Sequence, residues 1–413
     1  MRILIFSQYF WPENFQINSI AINLRENGHV VHVLTGKPNY PSGKIYNGYN
    51  AFGFNKEFFN KICIFRIPIF PRYNGGRLCL LLNYLSFILS GLFFAPFILK
   101  KEKYDIIFVY GTSPIFQSIP ASFIGFLKNI PVVLWVQDLW PESLSSTGFI
   151  KSKFLLWFVN LFVRFTYKYT DLILVQSKAF IPYISLQTSN TKLIKYHPNS
   201  VHNRFYSTLN TKNFSAHKIK SMQSGFTVVF AGNIGEAQSI ETIIEAAKKI
   251  SKFLDIKIIF FGNGSKYIWL KNTIKKEGLE NIYLEGSYPE DLMPNILKSA
   301  SILLVTLKND DIFKLTIPNK IQAYLAVGRP ILGCLDGEGA NLIIKARAGT
   351  VIPSGDAFGL AEEIVKYYNM NYSKLDKLGL NGKNYFSKHF MIENLNIILI
   401  DHFKKLLNKV KLK

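Results

Sequence analysis

Pro318, Asn319 and Lys320 stand immediately before a short apolar helix pattern in KLTIPNKIQAYLAVGRPILG (314–333). Pro318 suits the first turn of a helix, where its missing N–H costs little. Gly328 and then Pro330 close the pattern. Lys320 falls in the first turn, where a cation opposes the helix dipole unless an anion sits there too. Two readings stand: a lysine solvated at the surface, and a lysine sharing a bound phosphate with exposed backbone N–H groups.

Other stretches carry compatible chemistry. AGNIGEAQS (231–239) runs from a strand end through Gly232, Asn233 and Gln238 to a helix start, where free N–H groups favour an anion. A plain turn reads equally well from this loop alone. FFGNGSKY (260–267) repeats the pattern, and Gly262 and Gly264 allow close backbone approach or simply a tight turn. In DGEGANLI (336–343), Gly337, Glu338 and Gly339 precede a helix. Glu338 can accept hydrogen bonds from ribose or sugar hydroxyls, or support the helix dipole. In the first half, WVQDLWPESL (135–144) sets Gln137, Asp138 and Glu142 just beyond a strand. A carboxylate there can orient or deprotonate an acceptor hydroxyl, and Asp138 can equally cap the next turn. QYFWPENFQIN (8–18), with Glu13 and Asn14, is rich in rings and amides that suit a sugar face, or that simply pack. No metal is expected: His29 and His32 point to opposite faces of a strand. The chain has no G-x-S-x-G, P-loop or paired-cysteine motif.

The elements that must position these residues alternate. RILIFS (2–7), HVVHVLTG (29–36), ICIFRIPI (62–69), DIIFVYG (105–111), PVVLWVQ (131–137), DLILVQS (171–177) and KLIKYH (192–197) read as strands, most of them separated by helix patterns. KYHPNSVHNRFY (195–206) breaks the rhythm, and a polar segment (207–224) follows. A second alternation runs from TVVFAG (227–232) to GTVIPSGD (349–356). The expected fold class is therefore α/β, two Rossmann-like doubly wound parallel-sheet domains facing across a cleft. The expected spans are 1–200 and 201–389, with a basic terminal helix at 390–413 packing back on the first domain. Ligands belong beyond the carboxyl ends of such strands.

The 413 residues carry 49 Lys plus Arg against 27 Asp plus Glu, a net +22, which favours polyanionic partners. No nucleic-acid-binding motif accompanies the charge, so no nucleic acid partner is expected. Cys63, Cys79 and Cys334 are odd in number and scattered, and with no signal-peptide architecture they point to a reducing, cytoplasmic setting. Residues 78–99 contain no charge and are long enough to cross a bilayer. A span there would separate the flanking strands 62–69 and 105–111, which read as one sheet. A buried crossover helix, or a helix lying in an anionic membrane interface, is the better reading, with Arg72, Arg77, Lys100, Lys101 and Lys103 at its ends.

The strings SQYFWPENF, WVQDLWPESL, FAGNIGEAQSIETIIEAA, IPNKIQAYLAVGRPILG, LDGEGAN and GTVIPSGDAFGLAEEI stand in an order that resembles the retaining glycosyltransferase family 4, of GT-B fold. Within it, the resemblance is to the WbuB-like enzymes of O-antigen and capsule synthesis. It covers nearly the whole chain. It implies transfer from a UDP-sugar donor, with retention and without an essential metal or cofactor, to a polyprenyl-diphosphate-linked saccharide acceptor. It places the enzyme on the inner face of the cytoplasmic membrane, peripheral or monotopic, against an anionic surface. The family's diphosphate contact falls on Lys320, with Asn319 beside it. Its first glycine loop falls on Gly232 to Gln238, and its sugar-proximal loop on Gly337, Glu338 and Gly339. The acceptor then lies near Glu13, Asn14, Gln137 and Asp138. The chain departs from the family where an arginine and a lysine are usual, at Asn233 and Gln238, and where two glutamates are usual, at Leu315 and Ala323.

Two other classes fit parts of the pattern. A UDP-sugar 2-epimerase of similar architecture needs no acceptor. A non-catalytic basic scaffold binds membrane or nucleic acid with steep salt dependence and no nucleotide affinity.

Overall fold

The computed structural model describes residues 1–73, 75–146, 150, 152–188, 193–206 and 225–411. The polar segment 207–224 lies outside them. The chain divides into two compact units, Met1–Pro198 with Ile392–Lys413, and Asn199–Met391.

The first unit is built on β1 (Arg2–Phe6), β2 (Val30–Gly36), β3 (Asn55–Phe59), β4 (Ile62–Ile67), β5 (Ile106–Gly111), β6 (Val132–Val136), β7 (Leu172–Val175) and β8 (Leu193–Tyr196). They lie in the order β3-β4-β2-β1-β5-β6-β7-β8. Every neighbouring pair is parallel except β3–β4. The antiparallel β3 is an addition to the sequence reading. Its NKEFF is half exposed at the sheet edge, so it lacks the buried apolar run that marks the inner strands. The helices are α1 (Gln16–Glu26), α2 (Arg77–Ile98), α3 (Ser118–Lys128), α4 (Glu142–Ser146), α5 (Lys153–Lys168) and α6 (Phe180–Ser185).

The second unit has β9 (Phe226–Ala231), β10 (Ile256–Phe261), β11 (Ile282–Gly286), β12 (Ile302–Thr306), β13 (Ile331–Cys334) and β14 (Gly349–Ile352). Their order is β11-β10-β9-β12-β13-β14, all parallel. Its helices are α7 (Ile240–Lys249), α8 (Tyr267–Glu277), α9 (Met293–Ser299), α10 (Asp311–Leu315), α11 (Asn319–Val327), α12 (Glu338–Lys345), α13 (Ala357–Tyr368) and α14 (Tyr372–His389). The terminal α15 (Ile392–Lys411) returns to the first unit. There Asn396 Nδ2 donates to Asn23 Oδ1 of α1 at 2.8 Å and to the Ile20 carbonyl at 3.3 Å.

Near-continuous apolar strands are what a sheet covered on both faces requires. VVLWV and FTVVFA are buried along their whole length. In each sheet the order reverses beside its first strand, at β1/β5 and at β9/β12. That switch point opens a crevice where neighbouring loops diverge, and the candidate residues cluster there.

α2 is the one helix among the described residues long and apolar enough to cross a membrane. It joins β4 to β5 of one sheet, and its mid-helix Asn83 is buried. Asn83 Nδ2 donates to the Phe70 carbonyl at 2.6 Å, and its Oδ1 accepts from Gln8 Nε2 at 2.7 Å.

Candidate functional site

In the second unit, four loops converge. Gly232 (φ 126°) ends β9 and Gly262 (φ 137°) ends β10, both in backbone that L side chains rarely adopt. A Cβ on Gly262 would overlap the Gly232 carbonyl oxygen, and one on Gly264 would overlap that of Ile234. The loops are stitched by Gly232 N–H to Phe261 O (2.8 Å), Ile234 N–H to Asn263 O (2.9 Å) and Lys266 N–H to Ile234 O (2.9 Å). Gly337 (φ 76°) lies on the Lys314 backbone, where a Cβ would collide. A Cβ on Gly339 would stand 3.2 Å from both Pro318 Cδ and Ile321 Cδ1, so the start of α12 rests on the start of α11. The glycine pairs that the sequence offers as turns or ligand loops are thus first of all close approaches of backbone to backbone.

Lys320 does not reach out to solvent. From the first turn of α11 its Nζ donates to Gln238 Oε1 at 2.7 Å and lies 3.9 Å from the centroid of the Phe230 ring. A Cβ on Gly232 would be 3.6 Å from that Nζ, which therefore sits against the first glycine loop. Burial lowers its pKa to about 7. One turn on, Tyr324 fixes the same helix face: its Oη accepts from the Ala231 N–H at 3.0 Å. Phe230 completes the seat of the amine and Tyr324 pins the same helix to β9, and the sequence reading missed both. The i, i+4 spacing of Lys320 and Tyr324 was the available signal.

The other residues that the sequence offers for this site divide. Asn233 is exposed on the first loop. Gln238 is held through its own carbonyl by Thr306 Oγ1 and offers its side-chain oxygen to Lys320. Glu236 on the same loop is bound by Lys308 Nζ (2.8 Å) and Lys266 Nζ (3.2 Å), and hydrogen bonding to Lys308 holds its carboxyl below the usual range. Asn319 takes a different role from the expected donor contact. Its Oδ1 accepts from the buried Asn199 Nδ2 at 2.6 Å, tying the interdomain segment HPNS to α11. Glu338 lies in the first turn of α12, half-exposed, and accepts from Asn341 Nδ2 at 3.2 Å. Leu315 and Ala323 supply no carboxylate; the acids on the loop leading into α12 are Asp336 and Glu338.

In the first unit, Asp138 follows β6, half-buried. Its Oδ2 accepts from Ser113 Oγ at 2.9 Å, and Trp140 Nε1 donates to that same Oγ at 3.1 Å. Burial raises its carboxyl pKa, against the pull of the Ser113 hydrogen bonds. Gln137 is buried, and its Nε2 pairs with no protein group among the described residues. Glu142 stands in the first turn of α4.

Glu13 corrects the sequence reading. It is buried, and Oε1 accepts from the N–H groups of Asn39 (2.8 Å) and Tyr40 (2.7 Å), Oε2 from Phe10 N–H (3.3 Å). A carboxylate so occupied clamps the β1 loop to the β2 loop and is not presented to an acceptor. Burial pushes it up to about 7 despite those donors. Asn14 beside it is exposed. Nearby, the Tyr9 and Phe15 rings stack, Tyr40 lies tilted against both, and the Arg72 guanidinium is 5.1 Å from the Tyr40 ring. Beneath it, the buried Arg66 binds Glu57 and the carbonyls of Gly36 and Trp11. An arginine inside the apolar ICIFRI was its sequence signal.

Comparison with known proteins narrows this arrangement. Residues 225–370 match the family model Glycosyl transferases group 1. The match covers about a third of the chain. The loops carrying Gly232, Gly262, Lys320 and Gly337 all lie in the matched residues. The chain is 24% identical over 362 residues to the putative colanic acid biosynthesis glycosyl transferase WcaI of Escherichia coli, covering 85% of this chain and 84% of that one. It is 23% identical to the probable glycosyltransferase WbjE of Pseudomonas aeruginosa, covering 74% and 76%. Among solved structures, sucrose-phosphate synthase of Thermosynechococcus elongatus superposes with TM-score 0.75 at 14% identity over 99% of both chains. Anabaena HepE in complex with UDP-glucose gives 0.69 at 16%, covering 98% of this chain and 100% of that one. The fold is GT-B, and glycosyl transfer is the activity that the match over residues 225–370 supports.

Proposed function

We propose that the chain is a retaining glycosyltransferase that moves a sugar from a UDP-sugar to a polyprenyl-diphosphate-linked saccharide in O-antigen or capsule polysaccharide synthesis. The sugar is an N-acetylated hexosamine or deoxyhexosamine such as N-acetyl-fucosamine. The observation that carries the reading is the half-buried Lys320 amine, seated between Phe230, Gln238 and the Gly232 loop. A lysine kept there at the expense of its hydration has a purpose if a diphosphate restores its charge. The name of WcaI and the UDP-glucose complex of HepE support the polymer and the donor class.

In the reaction the acceptor hydroxyl oxygen bonds the anomeric carbon while the bond to the β-phosphate oxygen breaks. The departing phosphate oxygen takes the hydroxyl proton on the same face. Lys320 and the loop N–H groups stabilise the charge growing on UDP, about 3–4 kcal/mol for each well-aimed donor. Asp138 positions the acceptor. The chemistry calls for no metal ion or organic cofactor. The enzyme works at the anionic cytoplasmic face, with α2 in contact with lipid.

The test is calorimetric titration with UDP, followed by candidate UDP-sugars with a polyprenyl-diphosphate acceptor. Binding of UDP and acceptor-dependent release of UDP are expected, and both fall in Lys320→Ala. Full turnover by that variant would sink the role of Lys320. Conversion of a UDP-sugar without any acceptor would replace the transferase by an epimerase.

A further inference from the structure

The helix α5 presents its apolar side outward. Phe154, Trp157, Phe158, Leu161, Phe162 and Phe165 follow one another at spacings of three, one, three, one and three residues along a single helix face, and all are exposed. Its buried residues are Val163, Thr166 and Tyr167, a narrower stripe than the exposed one. A surface helix of a globular domain turns these two sides the other way round.

α5 is not alone. Along α2, Leu78, Leu82, Leu85, Leu89, Phe93 and Phe97 form a second exposed stripe, with Phe97 at 70%. α3 packs against both α2 and α5, and adds Phe126 at 81% and Leu127. The crossovers β4–α2–β5, β5–α3–β6 and β6–α5–β7 all step the same way along the sheet, so right-handed connections put the three helices on one face. α1 and α15 pack on each other and belong to the opposite face. The apolar face therefore spans three neighbouring helices, far beyond the scattered single residues of an ordinary surface.

Its charge pattern says what covers it. The three helices contain no Asp or Glu, and carry Arg77, Lys128, Lys153, Arg164 and Lys168. Lys100 and Lys101 follow directly after α2, exposed. A bilayer interface with anionic headgroups takes up such a face, apolar stripes in the acyl boundary and basic side chains among the phosphates. We infer that α2, α3 and α5 together form a monotopic docking face that lies flat on an anionic membrane, with α5 as a membrane-seated helix in its own right. This extends the lipid contact proposed above from one helix to three. It rests on that membrane placement but not on the transfer reaction.

The experiment is flotation of the whole chain with vesicles of phosphatidylcholine, and of phosphatidylcholine with about one-third phosphatidylglycerol. Three proteins are compared: wild type, Trp157→Ser/Phe158→Ser on α5, and Leu85→Ser/Leu89→Ser on α2. UDP titration and far-ultraviolet circular dichroism of each report residues 225–370 and the fold separately. Wild type is expected to float with the anionic vesicles, and each double variant to lose at least about fivefold in bound fraction with UDP affinity and helicity unchanged. Quenching of wild-type tryptophan fluorescence by brominated lipid should drop in Trp157→Phe, a substitution that keeps the apolar area. An α5 variant that floats like wild type, or no loss of quenching in Trp157→Phe, overturns the inference. So does a wild-type dimer that ignores vesicles and buries Trp157, which would make a second copy the occupant. Vesicle binding without UDP binding would retain the face and remove the donor reading instead.

Discussion

Lys320 is under two opposing demands. Burial lowers its pKa to about 7, so before any ligand binds the amine is partly neutral at neutral pH. A diphosphate favours the ammonium, so above pH 7 binding must draw in a proton. UDP affinity should then weaken by up to about tenfold for each pH unit above 7, and calorimetry in buffers of different ionisation enthalpy should register the uptake. Lys320→Ala should bind weakly and lose that pH dependence; a Lys320→Ala protein keeping the wild-type slope would assign the proton elsewhere. Asp138 is a different kind of residue, held by Ser113 and raised by burial. Asp138→Asn keeps the shape and removes the charge. It should lower turnover by about a hundredfold, the scale of a misplaced or unactivated acceptor, while the UDP dissociation constant stays put.

Elements impose their own constraints. The glycine loops work because backbones touch, and the two kinds of positive-φ glycine here can be told apart. Gly278 caps α8 at φ 62° with open space around its missing Cβ. Gly278→Ala should cost only about 1 kcal/mol, the left-handed penalty. Gly262→Ala meets the Gly232 carbonyl as well as a forbidden φ, and should cost about 2–4 kcal/mol. Urea midpoints of the two variants measure the difference, and UDP affinity should fall only in the second. Equal midpoints would mean that the two loops can part without loss. Helix α11 shows the same economy: Pro318 caps it, Gly328 (φ 72°) ends it, and between them Lys320 and Tyr324 share one face.

At the scale of the whole molecule, two buried groups pull acid stability in opposite directions. Burial lowers His197 to about 3, with His402 adding to it. Below its ordinary 6.5 the unfolded chain gains a proton there that the folded chain refuses, so stability falls as pH falls from 6.5 towards 3. Glu13 is raised to about 7 from 4.5, so between these values the folded chain binds the extra proton and stability rises as pH falls. The slopes, at most about 1.4 kcal/mol per unit each, offset one another above pH 4.5. His197→Gln should therefore flatten the acid decline of thermal melts, most clearly below about pH 4.5, where Glu13 no longer offsets it. A His197→Gln protein with an undiminished decline would place the acid sensitivity elsewhere. The sequence by itself determined the alternation of strands and helices, the break near residue 200 and the glycine loops beyond the strand ends. Apolar runs and Gly or Pro punctuation are local signals, readable a few residues at a time. Only the tertiary structure decided that Lys320 turns onto Phe230 and Gln238, that Asn39 and Tyr40 occupy Glu13, and that the apolar side of α5 faces outward. Each of those depends on groups far apart in the chain, or on what covers a stripe, and a helical periodicity states that a stripe exists without saying what lies against it.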